Sequence, residues 1–313
     1  MSKDPIWKRF ASTLDTSEEK DFALVSLVSK EGSSYLQPGA RLLVRSDGFY
    51  IGEISAGCLE QKISSDTIDC IRKREHKLLT VDTRPFYGCY GTLTLLIERI
   101  QNIRSFKQLV HEINLATDSR RAIRLITNYG DLDKCQLTTL GSHCNAECSC
   151  LTQTIEPPIK LVTFGKWPDS CASIAIAKQL GWHTKVFGDN ETLLSQFRQE
   201  IDERTALLIA THNLAQDVSI LRAVLDSPFG YIGVIGSKRR WREIENAICD
   251  LNDYDLIQHL QRVHCPAGLD LGGEGANSMA LSIVSEIQAE MFGRDGNRLI
   301  ERNLPIHSDS ITP

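Results

Sequence analysis

No stretch of the 313 residues approaches the run of about 20 apolar side chains that a helix needs to cross a bilayer. The N-terminal Met1-Ser2-Lys3-Asp4-Pro5 is charged and leads into no apolar leader-like segment. That predicts a cytoplasmic chain with no membrane partner, whose ten cysteines are reduced thiols. A basic excess is missing too: 35 Lys and Arg against 40 Asp and Glu give a formal net charge of -5. This argues against a nucleic-acid partner, although a local anion pocket remains compatible with it. Paired C-x2-C knuckles are absent. Cys135, Cys144, Cys148 and Cys150 follow a C-x8-C-x3-C-x-C spacing, which predicts surface thiols rather than a zinc or iron–sulfur site.

What remains is the composition of a soluble globular chain, 42% hydrophobic and 24% charged, long enough for two domains. A polar helix is expected over residues 6–20 and a buried strand over 22–28. Arg41–Arg45 and Phe49–Ile54 flank Asp47-Gly48, the signature of a hairpin. A helix is expected from Cys58 to about Glu75, strands over 77–81 and 92–98, a helix over 106–116, and strands over 122–127 and 151–155. Residues 104–157 are the least regular in pattern. The pair Pro157-Pro158 marks a linker. Beyond it, short apolar strands at 160–164, 185–187, 207–210 and 231–235 alternate with helices at 171–180, 217–225 and 238–248, and a last helix covers 277–292. The expected fold class is α/β. An α+β domain, residues 1–157, precedes a doubly wound, parallel-sheet Rossmann-like domain, residues 158–313.

Candidate functional residues cluster in glycine-rich turns. Gly57-Cys58 stands before a predicted helix, whose N-terminal dipole favours a thiolate, and Gly88-Cys89-Tyr90-Gly91 enters a predicted strand. Both cysteines are candidate reactive groups, expected to face one pocket, with small buried hydrophobes as the alternative. In an open parallel sheet, ligands bind beyond the carboxyl ends of the strands. The residues there are Gly165, Thr211-His212 and Gly236-Ser237-Lys238-Arg239-Arg240. The last group predicts an anion site at a helix start, with a solvated basic turn as the alternative. His212 could be a general base, a metal ligand or an ordinary strand-end histidine. Lacking a second histidine at ligand spacing, it is weakest as a metal ligand, and no metal site is expected. Gly165-Lys166-Trp167-Pro168-Asp169-Ser170 puts Trp167 and Ser170 where a dinucleotide-binding loop has its second and third glycines, so NAD(P) binding is not expected.

The order Gly32-Ser33-Ser34, Pro38-Gly39-Ala40-Arg41, Ala56-Gly57-Cys58-Leu59-Glu60, Gly88-Cys89-Tyr90-Gly91, Gly233-Val234-Ile235-Gly236-Ser237-Lys238-Arg239-Arg240 and His264-Cys265-Pro266-Ala267-Gly268-Leu269-Asp270 resembles the XdhC/CoxI family of xanthine dehydrogenase accessory proteins. That resemblance implies a chaperone rather than a catalyst. Such a protein binds molybdenum cofactor (molybdopterin), assists its sulfuration and delivers it to a xanthine dehydrogenase-like molybdenum hydroxylase, with a cysteine desulfurase as a further partner and a homodimer as the assembly. It implies Cys58 and Cys89 as the reactive pair, and Gly57, Arg41, Gly165, His212, Gly236, Ser237, Lys238, Arg239, His264 and Asp270 as cofactor-binding residues. For His264 and Asp270 the resemblance is the main ground. Alternative readings are an NAD(P)-dependent oxidoreductase built on the second domain, or a regulatory relative that handles no cofactor.

Overall fold

The computed structural model describes residues 5–16, 21–32, 34–55, 57, 59–84, 91–139, 149–188, 201–251 and 254–302. The chain forms two compact units, Ser2–Pro157 and Pro158–Pro313.

In the first unit, strands β1 (Phe22–Gly32), β2 (Arg41–Arg45), β3 (Tyr50–Gly52), β4 (Lys77–Asp82) and β5 (Gly91–Arg99) form an antiparallel sheet of order β3-β2-β1-β5-β4. The hairpin turns at Gly48, whose φ of 92° is in the left-handed region open to glycine, and Val44 pairs with Tyr50. Alternation along the strands divides two cores. Ala23, Val25, Leu95 and Ile97 face helix α2 (Glu60–Lys73), which contributes Ile63, Cys70 and Ile71. Leu24 and Leu43 point the other way. They meet Trp7 and Phe10 of α1 (Ile6–Asp15), Val110 and Ile113 of α3 (Ile103–Asp118), and a three-stranded antiparallel sheet of β6 (Ile123–Asn128), β7 (Gln136–Thr139) and β8 (Cys150–Ile155). Burial on both faces explains why residues 22–28 of β1 are apolar apart from Ser26. The pattern at 136–139 predicts no strand, because β7 is four residues long with Leu137 alone carrying apolar bulk.

In the second unit, β9 (Lys160–Phe164), β10 (His183–Phe187), β11 (Thr205–Ile209), β12 (Tyr231–Val234) and β13 (Val263–His264) form an all-parallel sheet of order β10-β9-β11-β12-β13. Helices cover both faces. Val162, Leu207 and Ile232 pack with Leu221 of α5 (Leu214–Val224) and Ile244 of α6 (Lys238–Cys249). Leu161, Leu208 and Tyr231 pack with Ala177 of α4 (Pro168–Gln179) and Ile283 of α8 (Ala276–Met291). The expected doubly wound sheet is present. It carries a fifth strand and a short helix α7 (Tyr254–His259) that the residue pattern does not predict, since two residues hold no periodicity. Strand order reverses between β9 and β11, which places a switch-point crevice beyond their carboxyl ends.

Candidate functional sites

Cys58 and Cys89 lie outside the described residues, as do Cys144 and Cys148; the loop that leads to Cys58 is described on both sides of it. Gly57 is exposed with a φ of 102°, and a Cβ placed on it would meet nothing within 4 Å. Glu60, in the first turn of α2, closes this loop. Its Oε1 accepts from the N–H groups of Ile54 at 2.8 Å and Ser55 at 2.7 Å, and its Oε2 from the Ser55 hydroxyl at 2.9 Å. The Leu59 N–H donates to Ser55 Oγ at 2.8 Å and to Glu60 Oε2 at 3.2 Å. Burial pushes the Glu60 carboxyl up, yet these hydrogen bonds outweigh it and hold the group below its ordinary value. The negative charge favours the α2 N-terminus as well.

Arg41 is buried. Its Nη1 donates to the Gly39 carbonyl at 2.8 Å and also to Gln153 Oε1, its Nη2 donates to Thr127 Oγ1 at 3.1 Å, and its Cζ lies 5.4 Å from the Trp7 ring centroid. Burial draws its pKa down to about 10 against the opposing charge of Glu98. Arg41 therefore ties the Gly39 turn to β6 and β8 from inside the unit. Cys135 is also buried, not on the surface as its spacing predicts. Burial, then the charges of Glu98 and Asp131, push its thiol up to about 12. Cys150 is half-buried on β8. Among the described residues no group of His, Cys, Asp and Glu converges as a metal site.

At the switch point of the second unit, Gly165 ends β9 with a φ of 96°, and a Cβ there would collide with the Ala210 carbonyl oxygen at the end of β11. Trp167, the residue before α4, remains 42% exposed and meets His212 edge-on, 5.1 Å between ring centroids. His212 is held in the left-handed region at φ 55°. The Trp167 N–H donates to Ser170 Oγ at 3.0 Å, and that hydroxyl donates to the Gly165 carbonyl at 2.9 Å. With Pro168 at the first helical position, the start of α4 offers few of the free N–H groups a pyrophosphate would use.

Beyond β12, Ser237 caps α6 by accepting from the Arg240 N–H at 3.2 Å. Arg240 folds back over Gly236 and forms an ion pair with Asp217, which is 1% exposed and also accepts from Thr211 Oγ1. Arg239 pairs with Glu243 at 3.1 Å while remaining 89% exposed, and Lys238 is exposed. Of the basic trio, then, two project outward and one builds the crevice.

His264 ends β13 beside Gly233, and its ring stacks on Tyr231 with centroids 4.7 Å apart. A Cβ on Gly233 would lie 2.6 Å from the Tyr231 hydroxyl, so this close seating requires glycine. Glu286 of α8 gathers the cluster: it accepts from Tyr231, from the Gly268 N–H at 2.7 Å, and pairs with His264 Nδ1 at 3.3 Å. The hydrogen bond to Glu286 holds the imidazole above its ordinary pKa despite burial, which pulls the other way. For Glu286 burial pushes upward, and the three donors outweigh it. Asp270 is exposed on the segment leading to α8. The family resemblance singles out His264 but not its neighbour Tyr231. The signal available was a tyrosine two residues before a glycine inside an otherwise aliphatic strand.

Residues 16–82 match the family described as the XdhC and CoxI family, and residues 161–287 match the one described as the XdhC Rossmann domain. A Bacillus subtilis protein named as a probable xanthine dehydrogenase subunit is 24% identical over 86% of this chain and 93% of its own length. One named molybdenum cofactor insertion chaperone PaoD, from Escherichia coli, is 21% identical over 86% of this chain and 83% of its own. A crystal structure described as a xanthine dehydrogenase from Bacillus halodurans superimposes with a TM-score of 0.71 at 20% identity, covering 97% of this chain and 98% of that one. Among the described residues, no helix is long and apolar enough to cross a membrane.

Proposed function

Because the chain belongs to the XdhC and CoxI family, we propose that it is an accessory protein that binds molybdenum cofactor, assists its sulfuration and inserts it into a xanthine dehydrogenase-like molybdenum hydroxylase. The observation that carries this reading is similarity to a named insertion chaperone over 86% of the chain, which spans both compact units. The cofactor is cargo. Cys58, before α2, is its soft ligand or sulfur carrier, favoured as a thiolate by the helix start, and Cys89 is the second thiol. Gly57 supplies open space for close approach, and Arg41 holds the Gly39 turn in place from within. In the second unit, Gly236, Ser237, Lys238 and Arg239 meet a phosphate, Gly165 and His212 serve at the switch point, and His264 and Asp270 are further cofactor contacts. A cysteine desulfurase is the proposed sulfur donor, and the proposed assembly is a homodimer.

The deciding experiment is copurification of the chain with molybdenum cofactor, followed by transfer to an apo-hydroxylase. Cys58→Ser is expected to fold with an unchanged melting temperature and to lose cofactor retention. A stable Cys58→Ser protein with full transfer would overturn the assignment. Reversing Lys238 and Arg239 to Glu is expected to weaken retention several-fold without unfolding, since both side chains are exposed; unchanged retention returns them to solvated surface.

A further inference from the structure

The first unit contains a cleft of about 520 Å³ that the proposed function does not use. Its size lies within the roughly 300–1,000 Å³ typical of small-molecule sites. Glu98 of β5 lines this cleft and is only 8% exposed. Its Oε2 accepts from the Leu137 N–H at 3.1 Å, whereas Oε1 is left with no hydrogen-bond partner and no cation within ion-pair distance among the described residues. A buried carboxylate with open acceptor positions is costly, and a donor entering the cleft would relieve that cost.

The lining defines that donor. Three carboxyl groups, Glu98, Glu112 and Asp133, stand against the one guanidinium of Arg99. Arg99 follows Glu98 on β5, so strand alternation turns its side chain to the other sheet face, where its Nη2 lies 3.9 Å from Asp21 Oδ1. Neighbouring polar groups are engaged elsewhere: Asn102 caps α3, and His76 accepts from the Arg99 N–H at 3.2 Å and meets Gln101 at 3.1 Å. Ile100, Phe106, Leu109 and Leu137 supply apolar wall. Glu98 is buried while Glu112 and Asp133 are exposed, so acid stands both inside the cleft and at its rim. That charge repels an anion, and no group of His, Cys, Asp and Glu converges as metal ligands among the described residues. We propose that this cleft binds a short aliphatic diamine, with one ammonium donating to Glu98, the methylene chain on the apolar wall and the second ammonium facing Glu112 and Asp133. The inference goes beyond the proposed function and does not rest on it.

The proton balance follows from burial. Burial pushes the Glu98 acid up to about 7, while an alkylammonium keeps its proton to about pH 10. The ammonium requires the carboxylate, so binding below pH 7 releases a proton from Glu98 to solvent. The charged and titratable groups around Glu98 are Arg41 on β2, His76 before β4, Arg99, Glu112 of α3, and Asp133 and Cys135 before β7. Arg41 donates to Gly39, Thr127 and Gln153, and its charge favours the Glu98 carboxylate without pairing with it. His76 is held below its ordinary value by burial and Arg99, and Cys135 is pushed to about 12, so neither titrates near 7 in place of Glu98.

Calorimetry of the full chain with diaminobutane, butylamine, butanediol and the fully N-methylated diamine tests this. At pH 8 diaminobutane is expected to bind, and butylamine about threefold more weakly because it leaves the rim carboxylates unused. Butanediol lacks the charge and the methylated diamine lacks N–H donors, so each is expected to bind at least tenfold more weakly than diaminobutane. Affinity for diaminobutane should fall about tenfold from pH 8 to pH 6, with proton release on binding. Glu98→Gln should weaken diaminobutane at least tenfold and abolish the pH dependence. Glu112→Gln combined with Asp133→Asn should bring diaminobutane down to the affinity of butylamine, and added salt should narrow the same gap. No binding of diaminobutane by the wild-type chain, pH-independent binding, or equal binding of the methylated diamine overturns the proposal, whether or not the Gln variant folds. Butylamine binding as tightly as diaminobutane overturns the diamine, since a single ammonium, such as a lysine side chain presents, would then suffice.

Discussion

Two carboxylates in this protein are set against their surroundings in opposite directions, and each has a measurable consequence. Glu98 is pushed up to about 7 by burial, so between roughly pH 4.5 and 7 the folded chain keeps a proton that the unfolded chain has released. Stability from this group is present below that window and is lost as pH rises through it, by about 3 kcal/mol in all. Glu98→Gln keeps the shape and removes the titration. Urea unfolding at pH 5 and pH 8 is therefore expected to show the variant gaining on wild type at the higher pH; an equal offset at both would contradict the burial argument. Glu286 is held down and His264 up by their mutual bond. Glu286→Gln is expected to return the His264 imidazole toward its ordinary pKa in an NMR titration, and to cost about 1–3 kcal/mol because three donors lose a charged acceptor. The contribution of raised His264 is complete at acid pH and disappears as pH rises through its folded value.

At the scale of elements, the start of α2 depends on one side chain. Glu60 satisfies the Ile54 and Ser55 N–H groups, which the turn leaves without strand or helix partners, and shares the Leu59 N–H with the Ser55 hydroxyl. Glu60→Ala leaves the first two without this acceptor, and a loss of about 2–4 kcal/mol in chemical denaturation is expected. Glu60→Gln should lose less, since one oxygen still accepts two bonds. A silent Glu60→Ala would mean that this loop is not held as described. The β9–α4 turn depends on Gly165 in the same way. Its left-handed φ and the nearby Ala210 carbonyl leave no room for a methyl group, so Gly165→Ala is expected to destabilise the second unit by about 2 kcal/mol or more, read from its thermal midpoint.

For the whole molecule, a doubly wound sheet invites comparison with nicotinamide-dependent enzymes, but fold alone does not carry chemistry. Here the start of α4 is closed by the Ser170 hydroxyl and Pro168, and Trp167 stands over the approach to it. Neither NADH nor NADPH is expected to bind at micromolar concentration, and stoichiometric heat in calorimetry with either would contradict that. On that expectation an oxidoreductase would lack its hydride donor, whereas the proposed cofactor delivery needs none.

The amino-acid sequence determined the parts that depend on near neighbours along the chain. Asp47-Gly48 sets its hairpin because glycine alone tolerates that turn, and apolar periodicity places α2, α6 and α8 to within a few residues. The glycine-rich segments are legible for the same reason, down to the substitution of Trp167 and Ser170. Tertiary structure alone decided which side chains meet. The family resemblance implies Arg41 as a cofactor-binding residue, but its side chain is buried against Thr127 of β6 and Gln153 of β8, more than eighty residues away. Glu98, the last residue of the strand expected over 92–98, is buried and accepts from the Leu137 N–H of β7, a strand too short to be recognised. The Glu286 cluster joins β12, β13 and α8 across 55 residues. Such charges are held by partners remote in sequence, and a pattern of local spacing contains no information about burial that distant segments impose.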